Sequence, residues 1–179
     1  MTVTRRRVLE LGGGSLAVLL ARTADAAADD VLEIGMQGDA DGSHVWFDPA
    51  GLRVRPGQTV RWTNRDKGNS HTVTAYHPDF ERPLRIPGTA APFDSDYLLP
   101  GESFSAVFSV EGVYDYYCVP HEHAGMVGRI VVGRPAAEEA GASAAVDLTP
   151  LPEAALNGFP SIDEILARGM VRRQPKESI

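Results

Sequence analysis

Cysteine is almost missing from this chain: Cys118 is the only one among 179 residues. No internal disulfide is available, so the lone sulfur is an inert buried thiol, a reactive thiol or a metal ligand. Basic residues are outnumbered as well, 17 Lys and Arg against 24 Asp and Glu, for a formal net charge of −7. Phosphate backbones are held by basic clusters, and this deficit argues against nucleic acid as a partner. It is compatible with a basic protein partner steered by charge. Long apolar runs are lacking too. The run at residues 11–20 is about half of the roughly 20 residues a membrane-spanning helix needs, and nothing after it is long and apolar enough to span. Turn formers are plentiful instead: 18 glycines and 13 prolines favour many turns over long helices. The length suffices for one domain with a real core and some tail.

The opening stretch, "TRRRVLELGGGSLAVLLARTADAAADD", reads as a targeting segment rather than as fold. A basic start at Arg5, Arg6 and Arg7 precedes the apolar run, and small residues follow. "TRRRVLE" resembles the twin-arginine export signal S/T-R-R-x-F-L-K, with Val8 in place of Phe and Glu10 in place of Lys. Residues 24–26 and 26–28 both suit a signal-peptidase cut. Residues 1–28 are therefore expected to be an export signal peptide. It would deliver the chain to the periplasm or the outer face of the cytoplasmic membrane. A general secretory signal or an uncleaved N-terminal anchor is the alternative. No cysteine lies near the cut to carry a lipid.

After that segment the pattern is all-β. Strands are expected at residues 31–38, 44–49, 52–64, 71–76, 103–110, 112–118 and 126–133. Within the third, Val60, Trp62 and Asn64 face one way and Arg61 and Thr63 the other. "RPG" at residues 55–57 separates two apolar alternations and looks like a hairpin turn. A long loop with five prolines links residues 76 and 103. Short strands with Gly and Pro turns at this spacing mean a β-sandwich or barrel, with residues 29–134 as one domain. Residues 135–179 read as an Ala-rich linker followed by a short C-terminal helix. Ser161 and Glu164 make a capping box, Ile162, Ile165 and Leu166 share a face, and Gly169 can end the helix. So short a helix must dock on something; its own sandwich is the expected surface, and contact with a partner is the alternative.

The chemistry is concentrated in "YCVPHEHAGM". Cys118 ends a strand, His121 and His123 follow on a tight loop, and Met126 starts the next strand. Such a loop can aim several donors at one point, with a further donor supplied by another part of the fold. His71, after the polar loop "DKGNS", is the natural candidate. One thiolate, two imidazoles and a thioether are soft-to-borderline donors. Two His and one Cys with a weak axial Met make an electron-transfer copper site. Zinc accepts Cys and His, but it has no redox chemistry and a thioether is a poor ligand for it.

"YYCVPHEHAGMVGRIVVG" resembles the C-terminal copper loop of the cupredoxins, the small blue copper proteins, and C-x2-H-x4-M is the loop spacing of plastocyanin and pseudoazurin. "FDPAGLRVRPGQTVRWTNRDKGNSHTVTAYHP" is similar to the segment around the first ligand histidine of that family. The resemblance implies a Greek-key β-sandwich holding one type 1 copper per chain. It makes His71, Cys118 and His121 the strong ligands, with both imidazoles using Nδ1, and Met126 the axial one. The family usually has Asn after the first histidine, where this chain has Thr72; its hydroxyl could brace the same loop. A backbone N–H near Thr72 could donate to the thiolate. His123 competes with His121 and ranks second, because Pro120 precedes His121 as it does in the family. His44, His77 and His123 are expected at the surface, and Glu122 is expected to be solvated.

Three functional classes compete. The first is a monomeric carrier moving single electrons between a redox protein donor and an acceptor, docked briefly near His121. The second is an enzyme. Five histidines cannot also supply a trinuclear copper cluster, Tyr117 and Val119 flank the cysteine where a multicopper oxidase has histidines, and Met126 argues against a Cys–His hydrolase. The third is copper storage, delivery or sensing, whose sites are usually more open and richer in Met or His. The carrier is preferred.

Overall fold

Alternation of buried and solvent-facing residues sets the strands. In β4 (Gln58–Asn64) the residues Gln58, Val60, Trp62 and Asn64 are buried, while Arg61 between them is exposed. A strand with this period can cover a core with one face only. The computed structural model describes residues 31–135 and 151–173. The expected signal peptide at residues 1–28 and most of the expected linker lie outside the described residues.

Two sheets face each other. The first has the order β2-β1-β4-β6, from β1 (Leu32–Gly38), β2 (Val45–Asp48), β4 and β6 (Ser103–Phe108). The second has the order β5-β7-β8-β3-β9, from β3 (Gly51–Val54), β5 (Thr74–Ala75), β7 (Gly112–Tyr117), β8 (Val127–Val132) and β9 (Met170–Val171). Parallel pairing of β1 with β4 and of β3 with β8 joins strands distant in sequence. The result is the all-β Greek-key sandwich expected from the sequence. Ile34, Met36, Phe47 and Trp62 of one sheet pack with Leu52, Val54, Tyr116 and Ile130 of the other. Trp62 meets Tyr116 edge-on at 5.4 Å between centroids.

Two local expectations change. The turn at residues 55–57 is not a hairpin, because β3 and β4 belong to different sheets. Alternation on both sides of a turn fits a corner between sheets as well as a hairpin. Long-range partners decide: β8 takes β3 and β1 takes β4. Gly57, at φ +87°, supplies the left-handed residue this corner uses. The stretch 71–76 is entirely buried, yet only Thr74–Ala75 form a regular strand. Its other edge is met by the proline-rich loop through isolated bridges, His71 to Leu98 and Thr74 to Asp94. Between Asp94 and Leu98 the loop turns through Asp96 at φ +54°, which breaks the pairing into bridges.

The C-terminal segment packs on the sandwich. Helix α1 (Glu153–Leu156) precedes α2 (Ile162–Arg168). Ser161 caps α2 by accepting from the Glu164 N–H at 3.1 Å, and Gly169 closes it at φ +76°. Ile165 is fully buried over Gly51, where a Cβ would lie 2.7 Å from its side chain. The chain then adds β9 to the edge of β3, a strand too short to announce itself in the sequence. Among the described residues, no helix is long and apolar enough to cross a membrane.

Candidate metal centre

Strand β7 delivers Cys118, fully buried, into a 3-10 segment at Val119–Ala124. Pro120 suits the first turn of this segment, where no N–H is needed. The loop closes on itself through its backbone. The His121 N–H donates to the Cys118 carbonyl at 3.0 Å, the Met126 N–H to the His121 carbonyl at 3.1 Å, and the Cys118 N–H to the Met126 carbonyl at 3.0 Å. Gly125, at φ +80°, makes the return possible. This circuit holds His121 Nδ1 3.4 Å from Cys118 Sγ. His71 arrives from across the sheet, with Nδ1 3.6 Å from the sulfur and 3.2 Å from His121 Nδ1. The three ligand atoms all lie within 4.8 Å of one another. Met126 is fully buried in the same packed cluster as Cys118.

The structure therefore brings His71, Cys118 and His121 together. His123 is exposed and stands outside the group. His44 stacks on Trp46, and His77 accepts from the Asp79 N–H. Both are partly exposed.

Burial governs the protonation of the donors. It pushes the Cys118 thiol up to about 11, against the pull of the Thr72 N–H. It holds His71 below the ordinary imidazole value despite Asp66, and His121 likewise, helped there by repulsion from His71. At neutral pH the set is one thiol and two uncharged imidazoles facing a common point. A cation seated there replaces the thiol proton and meets two lone pairs. Soft sulfur with two imidazoles is the donor chemistry of copper electron-transfer sites, so the residues fit that metal.

Further bonds orient the donors. The Thr72 N–H points to Cys118 Sγ at 3.3 Å. Thr72 Oγ1 accepts from the Val119 N–H at 2.8 Å and donates to Thr74 Oγ1 at 3.0 Å, which in turn donates to Asp94 at 2.7 Å. Thr72 thus ties the two ligand segments together through its hydroxyl. Asp66, which sequence reasoning passed over as part of a polar loop, is buried and lies 3.0 Å from His71 Nε2. Burial works to raise its pKa, but hydrogen bonds from Asn69, Gly68 and His71 together outweigh that and leave it below the ordinary carboxylate value.

Glu122 corrects the expectation of a solvated charge. It is 2% exposed, accepts from the Tyr76 hydroxyl at 2.9 Å, and pairs with Arg82 at 3.1 Å. The 3-10 turn buries it between half-buried His121 and exposed His123, which neither helical nor strand periodicity signals. On the same side, Arg173 of the C-terminal segment donates to the Gly125 carbonyl at 2.8 Å. The guanidinium groups of Arg85 and Arg129 both lie over the Phe159 ring, at 5.1 and 5.0 Å from its centroid.

Comparison with known proteins agrees with this chemistry. A family model described as copper binding proteins, plastocyanin/azurin family, matches residues 34–133. A chloroplastic plastocyanin of Tetradesmus obliquus is 36% identical over 129 residues, covering 71% of this chain and 81% of that protein. A pseudoazurin of Methylorubrum extorquens is 33% identical over 126 residues, covering 69% and 75%. A solved pseudoazurin from Sinorhizobium meliltoi superposes with a TM-score of 0.56 at 30% identity, over 71% of this chain and 88% of that one.

Proposed function

This chain belongs to the plastocyanin/azurin family of copper binding proteins, and we propose that it is an exported carrier of single electrons. In this reading His71, Cys118, His121 and Met126 hold one type 1 copper. The observation that carries it is the convergence of one thiol and two imidazole Nδ1 atoms in a buried pocket, with only His121 part-exposed.

Bound copper supplies a one-electron Cu(II)/Cu(I) couple. Cys118 provides the thiolate, and the Thr72 N–H draws density from its sulfur. Asp66 holds the His71 ring by a bond at Nε2, which leaves Nδ1 facing the sulfur. The closed backbone circuit from Cys118 to Met126 keeps the donors in place whichever charge the site carries. Little rearrangement then accompanies transfer. His121 is the route to the surface, and exposed Val119, Pro120 and Ala124 around it suit brief docking with a redox protein donor or acceptor. Burial of His71, Cys118 and Met126 supports a carrier over a delivery protein, which must release its metal.

Absorption and EPR spectra of the protein loaded with stoichiometric Cu(II) test this. We expect an intense thiolate-to-copper band, a small parallel hyperfine splitting, and reversible bleaching on reduction. Cys118→Ser should lose the band. A pale protein with an ordinary Cu(II) spectrum would remove the electron carrier and leave storage, delivery or sensing.

A further inference from the structure

Among the polar groups around the metal centre, Asp66 has the least ordinary setting. Its carboxylate and the His71 ring are 3% and 0% exposed and 3.0 Å apart. Water screens charge less at such a place than at the surface, so the interaction is stronger than that of an exposed pair. The carboxylate is also held against rotation. Oδ1 accepts from the N–H groups of Gly68 at 2.8 Å and Asn69 at 3.3 Å, and Oδ2 accepts from Asn69 Nδ2 at 2.9 Å. The Asp66 N–H donates to Asn64 Oδ1 at 3.0 Å, and Asn64 Nδ2 donates to the carbonyls of Asn69 and Leu98, each at 2.9 Å. Leu98 is the bridge partner of His71. One polar network therefore fixes both members of the pair. Gly38 closes the far side, where any side chain would collide with the carboxylate. No Lys or Arg nitrogen among the described residues lies within ion-pair distance of it, so its charge is directed at His71.

We propose that Asp66 is a positioning residue for the copper, acting through His71. Its carboxylate holds the ring proton on Nε2, leaves Nδ1 free to donate, and makes His71 a stronger donor. This rests on the reading of His71 as a ligand. A ring whose far N–H is drawn toward a carboxylate is richer in electron density. The added density stabilises the more highly charged metal state more, so Asp66 lowers the reduction potential.

The test uses the full chain loaded with copper, comparing Asp66→Asn with Asp41→Asn. Asp41 is an exposed carboxylate lining the same cleft as Asp66. Both variants remove one negative charge, but only Asp66→Asn removes it from His71. Asp66→Asn should keep the thiolate band and raise the potential; each tenfold loss in the preference for Cu(II) over Cu(I) reads as about 59 mV. Asp41→Asn should keep the wild-type potential. An unmoved potential in Asp66→Asn with the band intact overturns the proposal, as does an equal shift in Asp41→Asn. If Asp66→Asn fails to fold, nitrogen-15 NMR of the reduced wild-type protein decides. A slowly exchanging, strongly downfield proton on His71 Nε2 supports the proposal, and one that exchanges as fast as an unbonded ring N–H overturns it. A wild-type protein lacking the band removes the ligand set first, and this proposal with it.

Discussion

At the scale of single residues, spacing carried most of the information. Cys118 and His121 are three residues apart on one loop, and His71 opens the buried stretch 71–76 directly after a polar loop. Their donor atoms are the three that meet within 4.8 Å. Side-chain direction was less legible. Glu122 and His123 are neighbours of like polarity, yet one is buried on Tyr76 and Arg82 and the other is exposed. Only the hand of the 3-10 turn separates them. Asp66 was missed for a related reason: an Asp in a polar loop is usually solvated, and its burial depends on Gly38 of another strand. The exposure of His123 makes a mutational contrast available. His123→Ala should leave the charge-transfer band unchanged, whereas His121→Ala should abolish it or require added imidazole to restore it. Loss of colour in the first variant alone would move the ligand by two positions.

At the scale of elements, the capping box at Ser161 and the stop at Gly169 predicted α2 correctly, because caps are local hydrogen bonds. What the helix packs on is not local. Ile165 fits over Gly51 because that strand residue has no side chain. Ile165→Ala would leave a buried cavity, and we expect it to lower unfolding stability by about 2–5 kcal/mol. Chemical denaturation measures the loss, and the charge-transfer band should persist in the folded protein. An unchanged midpoint would mean that α2 contributes nothing to the sandwich. The misjudged hairpin at residues 55–57 is the same lesson in a strand. Alternation marks which residues are buried, while the partner strand is chosen by residues far along the chain.

At the scale of the whole molecule, burial couples copper binding to protons. The Cys118 thiol is raised to about 11 and both imidazoles are lowered. At neutral pH the thiol is therefore protonated and the imidazoles are not. Loading copper at neutral pH should release about one proton, and affinity should rise about tenfold per pH unit from neutral pH up to the thiol value. Calorimetry in buffers of different ionisation enthalpy counts that proton; release of none would mean that the thiolate is not recruited. The sequence by itself determined the donor types, their order and spacing, and the alternating strands that make an all-β sandwich. These follow from covalent order and from the two-residue period of an extended chain. Only the tertiary structure decided how the sheets share their strands, that the C-terminal segment closes on the ligand loop through Arg173 and Gly125, and that Asp66 stands behind His71. Those contacts join residues that share no local pattern. Burial and charge at such places are set by what folds over them.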